Sequence, residues 1–234
     1  MSSITLKISV FNAEGAVEMT ADFNPEAEMW HGTDRFKRDQ DRRQRLLDAA
    51  LELYGTAGYS ATPVQAVCRL AKVSTRSFYQ LYADHHELLT RLYLDLNEEV
   101  LAAIDARPID PGQDLLTATR TLVAQVLGPM LTDDRKARVM EVETVGVSVV
   151  LEQQRRLTIR RLAAALDDAF EDFAAAGLIS SAPGGLTSLV LIGGITEALV
   201  QRVQSEPSER EPVADFIEQI TAVIVRFTGG VSQP

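Results

Sequence analysis

Between residues 62 and 82 the chain reads TPVQAVCRLAKVSTRSFYQLY, which sets hydroxyls, two guanidiniums, two carboxamides and aromatic rings within a few turns of one another. A helix is expected over Thr75 to Tyr82, with Phe78 and Leu81 inward and Thr75, Arg76, Ser77, Tyr79, Gln80 and Tyr82 outward. Hydroxyl and phenol groups suit phosphate oxygens, whereas an arginine and a glutamine can each make two parallel hydrogen bonds to a base edge. Arg42, Thr62, Gln65, Lys72, Ser74 and His85 flank this helix and complete the candidate nucleic-acid-contacting set. The bland alternative, a solvated short helix with two incidental tyrosines, leaves the basic flank and the two capping residues as coincidences.

Those side chains need a frame. Thr62 before Pro63 reads as an N-cap with proline at the first helical position, and Val64, Val67, Cys68 and Ala71 supply the buried side of a helix ending near Ala71. Ser74 caps the next helix, and the turn at Lys72-Val73 is too short for the two to lie antiparallel, which is a helix-turn-helix arrangement. Before it, Leu46, Leu47, Ala50, Leu53 and Tyr54 stripe a helix from Asp39 that closes at Gly58. After it, Asp84 caps a helix with Leu88, Leu89, Leu92, Leu96 and Val100 inward, running until Pro108. Further helices are expected over Asp114 to Leu131, Asp133 to Val145, Ser148 to Gly177, Leu186 to Val203 and Pro212 to Phe227 before Gly229-Gly230, nine in all. At the N-terminus, Ile4 to Val10 and Val17 to Phe23 alternate apolar and polar residues around a turn at Asn12 to Gly15, the pattern of a short β-hairpin, and Pro25 to Asp34 reads as linker. The expected class is all-α with a possible hairpin arm: an extension over 1–38, a helix-turn-helix domain over 39–86 and a helical body over 87–234.

Charge divides the same way. The chain of 234 residues carries −10, yet residues 35–94 hold ten Lys/Arg against six Asp/Glu, so a small basic head is joined to an acidic remainder. Arg35, Lys37, Arg38, Arg42, Arg43 and Arg45 precede or open the first helix, an arm that neutralises phosphates or enters a minor groove. One cysteine excludes an internal disulfide, and Cys68 falls on an apolar helix face, where a small buried thiol is the simple reading. His31, His85 and His86 lack ligand-spaced partners, and no nucleophile-base pair, phosphate loop or paired carboxylates stand out. No enzyme, metal or cofactor is expected, and no membrane span or secretory signal, which points to the cytoplasm.

The stretch RQRLLDAALELYGTAGYSATPVQAVCRLAKVSTRSFYQLYADHHELL, Arg43 to Leu89, resembles the DNA-binding region of the TetR (tetracycline repressor) family of bacterial regulators: an Ala-Ala pair in helix one, Gly-aromatic at its end, a threonine before helix two, Val-Ser in the turn, then Ser-Phe-Tyr. ARVMEVETVGVS (Ala137 to Ser148) and LIGGITEALV (Leu191 to Val200) resemble the family's ligand-binding, dimerising half more loosely. Two departures stand out. Lys72 occupies the turn position where the family usually has glycine, and His85-His86 stand where it commonly has a lysine that meets a phosphate, so that contact is expected to be weak or pH-dependent.

The resemblance implies a homodimeric regulator, most simply a repressor, that binds a near-palindromic double-stranded operator and releases it on binding an unidentified small-molecule effector. A DNA-binding or protein-interaction factor of this fold with no effector is the alternative, and a helical enzyme or carrier with an incidental helix-turn-helix is a third. The expected dimer interface uses the last two helices, through Leu189, Gly193, Val200, Ile217, Ile220, Ile224 and Phe227. The expected effector site combines Leu122, Val126, Val139, Glu143, Phe170, Leu189 and Thr196, with Glu143 on the face of Val139 and pointing inward. The competing reading makes Glu143 a structural ion-pair partner of Arg120, Arg160 or Arg161.

Overall fold

Helical periodicity governs the chain from residue 25 onward. The computed structural model describes residues 4–12, 15–23, 25–107, 110 and 112–229, with side chains from Phe36 on. Two antiparallel strands, β1 (Ile4–Asn12) and β2 (Gly15–Phe23), form the expected hairpin in a register that runs from Ile4 opposite Phe23 to Asn12 opposite Gly15. The turn residues Ala13 and Glu14, with Pro108 and Gly230, lie outside the described residues.

Pro25 to Asp34 is not a linker. It opens α1 (Pro25–Thr56), a continuous helix of 32 residues. Proline at the first helical position followed by Glu-Ala-Glu-Met is a favourable start, and Gly32 alone does not interrupt it. The chain divides into compact units at Arg45/Leu46, inside this helix.

Within residues 46–234, α2 (Val64–Ala71), α3 (Thr75–Leu81) and α4 (His85–Asp105) complete the head, and α5 (Leu115–Thr132), α6 (Asp134–Arg138), α7 (Val149–Ala175), α8 (Gly185–Gln204) and α9 (Val213–Phe227) form the body. The expected helix over Asp133 to Val145 is α6 followed by a π-helical turn at Val139–Glu143. Asp84, Asp114 and Ser148 cap their helices by accepting from the backbone N–H of Glu87, Thr117 and Leu151. One hydrophobic core runs from Leu46 to Ile224, so residues 86/87 mark no break in packing. α4 crosses that point, with Leu88 and Leu89 buried at one end and Leu101 and Ile104 at the other.

Candidate nucleic-acid interface

The interface is built outward from Phe78. With α3 only seven residues long, its position depends on one fully buried ring, which meets Tyr79 edge-on at 5.2 Å and Tyr82 at 5.8 Å. Ser74 fixes the start of α3 by accepting the Ser77 N–H at 3.1 Å and donating to the Ser77 hydroxyl at 2.9 Å. The turn before it is held by Lys72 in the left-handed region, φ 53° and ψ 43°, the conformation that glycine adopts freely and that costs an L-residue about 1 kcal/mol. This lysine keeps the turn and adds a cation at its rim.

On that frame Thr75, Arg76, Tyr79 and Gln80 are exposed along one side of α3, at positions one and four apart, with Gln65, Lys72 and Ser74 also exposed and Ser77 partly so. Arg76 has no hydrogen bond or ion pair among the described residues, so its guanidinium is available to an anion or a base edge. Arg69 of α2 is likewise exposed and unpaired among the described residues; its place three residues before Lys72 could have drawn it into the candidate set.

Three members of that set face elsewhere. Tyr82 is only 3% exposed and packs on Phe78; four residues on, it shares the inward face of that ring. Thr62 is buried and caps nothing: its hydroxyl donates to the Gly58 carbonyl at 2.7 Å, and the helix begins at Val64 after Pro63. His85 is stacked on Tyr59, ring centroids 4.5 Å apart, and meets Tyr54 edge-on at 5.2 Å. Burial, aided by the neighbouring His86, holds the His85 imidazole below its ordinary pKa against the pull of Asp84, so near neutrality it is an uncharged packing group. The exposed His86 pairs through Nδ1 with the Tyr59 hydroxyl at 2.8 Å. Arg42 belongs to the other compact unit and pairs with Asp39 at 2.9 Å. Burial raises the Cys68 thiol pKa, which fits an inert core residue.

The head is tied to the body by carboxylates. Glu143 accepts the Tyr59 backbone N–H at 2.7 Å and the Arg138 Nε at 2.9 Å, lying over Gly58, whose φ of +91° leaves no room for a larger residue without strain. Arg135 of α6 pairs with Glu52 of α1 and with Asp133, and Gly55 lets α6 approach, since a Cβ there would overlap the Arg135 side chain. Glu143 therefore does not line a cavity. The π-turn shifts the phase of the residues that follow Val139, and the partner of Glu143 is neither Arg120, which pairs with Glu218, nor Arg161, which pairs with Glu98.

The body holds an apolar cavity of about 50 Å³. Leu122, Val126 and Phe170 line it, together with Ile104 at the end of α4, Thr119, and Ile192 and Ile195 of α8. Val139 is buried outside it, Leu189 is 42% exposed and Thr196 is not among its walls. Ile220 and Ile224 line this same cavity, so they are not surface residues of α9: positions 216, 220 and 224 share the inward face. The outward apolar positions of the last two helices are Leu186, Leu189, Val190, Val223 and Phe227, with Gly193 and Gly194 facing open space; Val200 and Ile217 are partly buried. By length and composition α8 could cross a membrane, the consequence of an apolar helix with an apolar outer face. Among the described residues no three His, Cys, Asp or Glu side chains cluster as a metal site would require.

A capped, short, polar helix held across a tight turn by one buried ring is the architecture of helix-turn-helix DNA-binding regulators. Residues 46–92 match the family described as bacterial regulatory proteins, tetR family. The chain is 28% identical over 124 residues to the HTH-type transcriptional regulator AcrR of Shigella flexneri, a match spanning half of this chain and 57% of that one. It is 31% identical over 86 residues to the HTH-type transcriptional regulator TcmR of Streptomyces glaucescens, 37% of each chain. The fold is similar to that of FadR from Bacillus subtilis, solved in complex with stearoyl-CoA, with TM-score 0.63 and 16% identity over 80% of this chain and 98% of that one.

Proposed function

We propose that the protein is a ligand-responsive repressor that binds a near-palindromic operator as a homodimer, placing α3 of each subunit in successive major grooves about one helical turn apart. Arg76 and Gln80 read base edges; Thr75, Ser77, Tyr79 and Lys72 position the head on phosphates. We take residues 39–86 as the DNA-binding domain and 87–234 as the effector and dimerisation domain, in a cytoplasmic protein. The outer faces of α8 and α9 supply the dimer contact: an apolar stripe rimmed by polar residues is what a second copy covers, and the two glycines permit close approach of helices.

One observation carries the regulatory part. α4 has its first turn in the head, where His85 sits between Tyr54 and Tyr59, and its last turn in the cavity wall, through Ile104. An occupant that displaces Ile104 changes the spacing of the two heads, and by reciprocity operator weakens that occupant's binding. The small size of the cavity favours the second reading, a regulator of this fold with no effector. Selection of operator from random duplexes, followed by anisotropy titration with and without compounds that raise Tm, decides between them. Compound-induced release supports the first reading, and tight operator binding that no stabilising compound alters supports the second.

A further inference from the structure

The effector reading leaves the chemistry of the effector open, and the cavity walls narrow it. Of the thirteen side chains that line the cavity, twelve are Ile, Leu, Val or Phe and none is charged. A carboxylate, phosphate or ammonium group placed there loses its water and gains no partner. The thirteenth is Thr119, 1% exposed, whose hydroxyl has no hydrogen-bond partner. Elsewhere in its helix the partly buried Thr121 donates back to the Thr117 carbonyl at 2.9 Å and the exposed Thr132 to the Gly128 carbonyl at 2.8 Å. The Thr119 hydroxyl makes no such bond, so a buried polar group stands unpaired just behind a wholly apolar wall, within reach of a molecule that widens the cavity.

We propose, resting on the effector reading above, that the cavity takes an uncharged, mainly apolar molecule carrying one hydrogen-bonding group, which pairs with the Thr119 hydroxyl. At about 50 Å³ the cavity admits a slender chain or small ring only by widening. The compliant wall is α5, where Pro129 has no N–H to give the Gln125 carbonyl.

The test uses probes matched in chain and different in head group: 1-octanol, octanoate, octylamine and octanoyl-CoA, titrated calorimetrically into the full-length protein. Octanol is expected to bind at least about tenfold more tightly than octanoate or octylamine, because each ion sheds its hydration without compensation. Thr119→Val is isosteric and lacks the hydroxyl; it should keep or raise Tm and weaken octanol about fivefold, whereas Thr119→Ser retains the affinity. Leu122→Trp fills the cavity and should abolish binding of octanol. Equal or tighter binding of octanoate, octylamine or octanoyl-CoA overturns the proposal, as does octanol affinity indifferent to Thr119→Val, or no binding by any probe. Operator release is measured separately on the same preparations. Octanol that binds with the expected preference yet releases no operator leaves the site chemistry standing and removes the regulatory reading.

Discussion

Head and body of the 46–234 unit handle charge and space in opposite ways. Around α3 the interior is filled, with Phe78, Leu88 and Leu89 fully buried, while Arg69 and Arg76 stay exposed and unpaired among the described residues. In the body most arginines face a carboxylate: Arg107 with Asp172, Arg120 with Glu218, Arg161 with Glu98, Arg210 with Asp134. The body also holds the apolar cavity. A surface of unspent donors over a rigid core suits a polyanion; a neutralised surface over a loosely filled interior suits a small apolar guest or a second subunit.

The largest expected effect concerns assembly, which the outer face of α8 and α9 should control. Leu189→Asp with Phe227→Asp should give helical monomers whose operator affinity falls by two orders of magnitude or more, about 3 kcal/mol, since each head alone makes half the contacts. Light scattering and anisotropy check it; a double variant that stays dimeric moves the interface elsewhere.

Packing comes next and separates the two interiors. Phe78→Ala should cost roughly 3–5 kcal/mol in urea unfolding, and enlarging Ala50 to Leu in the filled head about 1–3 kcal/mol, whereas Val126→Leu, which grows into the body cavity, should cost less than about 1 kcal/mol. Equal penalties for Ala50→Leu and Val126→Leu would erase the contrast. At the junction, Glu143→Ala leaves the Tyr59 N–H without its acceptor and should cost about 1–3 kcal/mol, against little measurable loss for Arg161→Ala, whose pair with Glu98 is exposed.

The smallest effect is in pH. Desolvation pushes the Glu141 carboxyl up to about 7 against the pull of Arg155, so the folded body holds a proton that the unfolded chain has lost. That contribution is full below the ordinary glutamate range and declines as pH rises toward about 7. His85 has the opposite sign: with its folded pKa lowered, its contribution is present above the ordinary histidine range and is lost as pH falls through that range. Thermal unfolding from pH 5 to 8 should show Glu141→Gln flattening the alkaline loss and His85→Phe flattening the acid loss. Identical slopes in both variants would contradict the assignment.

Much of this was legible in the residues. Ser74 and Asp84 mark the starts of their helices and Val67, Cys68 and Ala71 the buried side of α2, while the left-handed turn at Lys72 follows only from the family resemblance. What escaped has physical causes. Tyr82 has both a ring to bury and a hydroxyl to expose, so the face it takes depends on Phe78 four residues earlier. Pro25 to Asp34 carries both a helix-opening proline and a Gly32 that reads as a breaker. α9 is apolar on two sides, and periodicity alone does not say which side faces its own core, so the pattern allows Ile220 and Ile224 an outward place where the structure turns them inward. Counting α-helical turns across a segment that is π-helical puts Glu143 in the cavity wall, where the structure makes it an ion-pair partner of Arg138.

The central claim is that α3 reads sequence through Arg76 and Gln80 while its neighbours grip the backbone. Anisotropy titrations on operator and on scrambled duplex, at two salt concentrations, test it directly. Arg76→Ala and Gln80→Ala should each lose roughly 1–3 kcal/mol on operator and little on scrambled DNA, while Lys72→Ala weakens both alike and lowers the salt slope by about one. Equal losses on the two duplexes for Arg76→Ala and Gln80→Ala would contradict it.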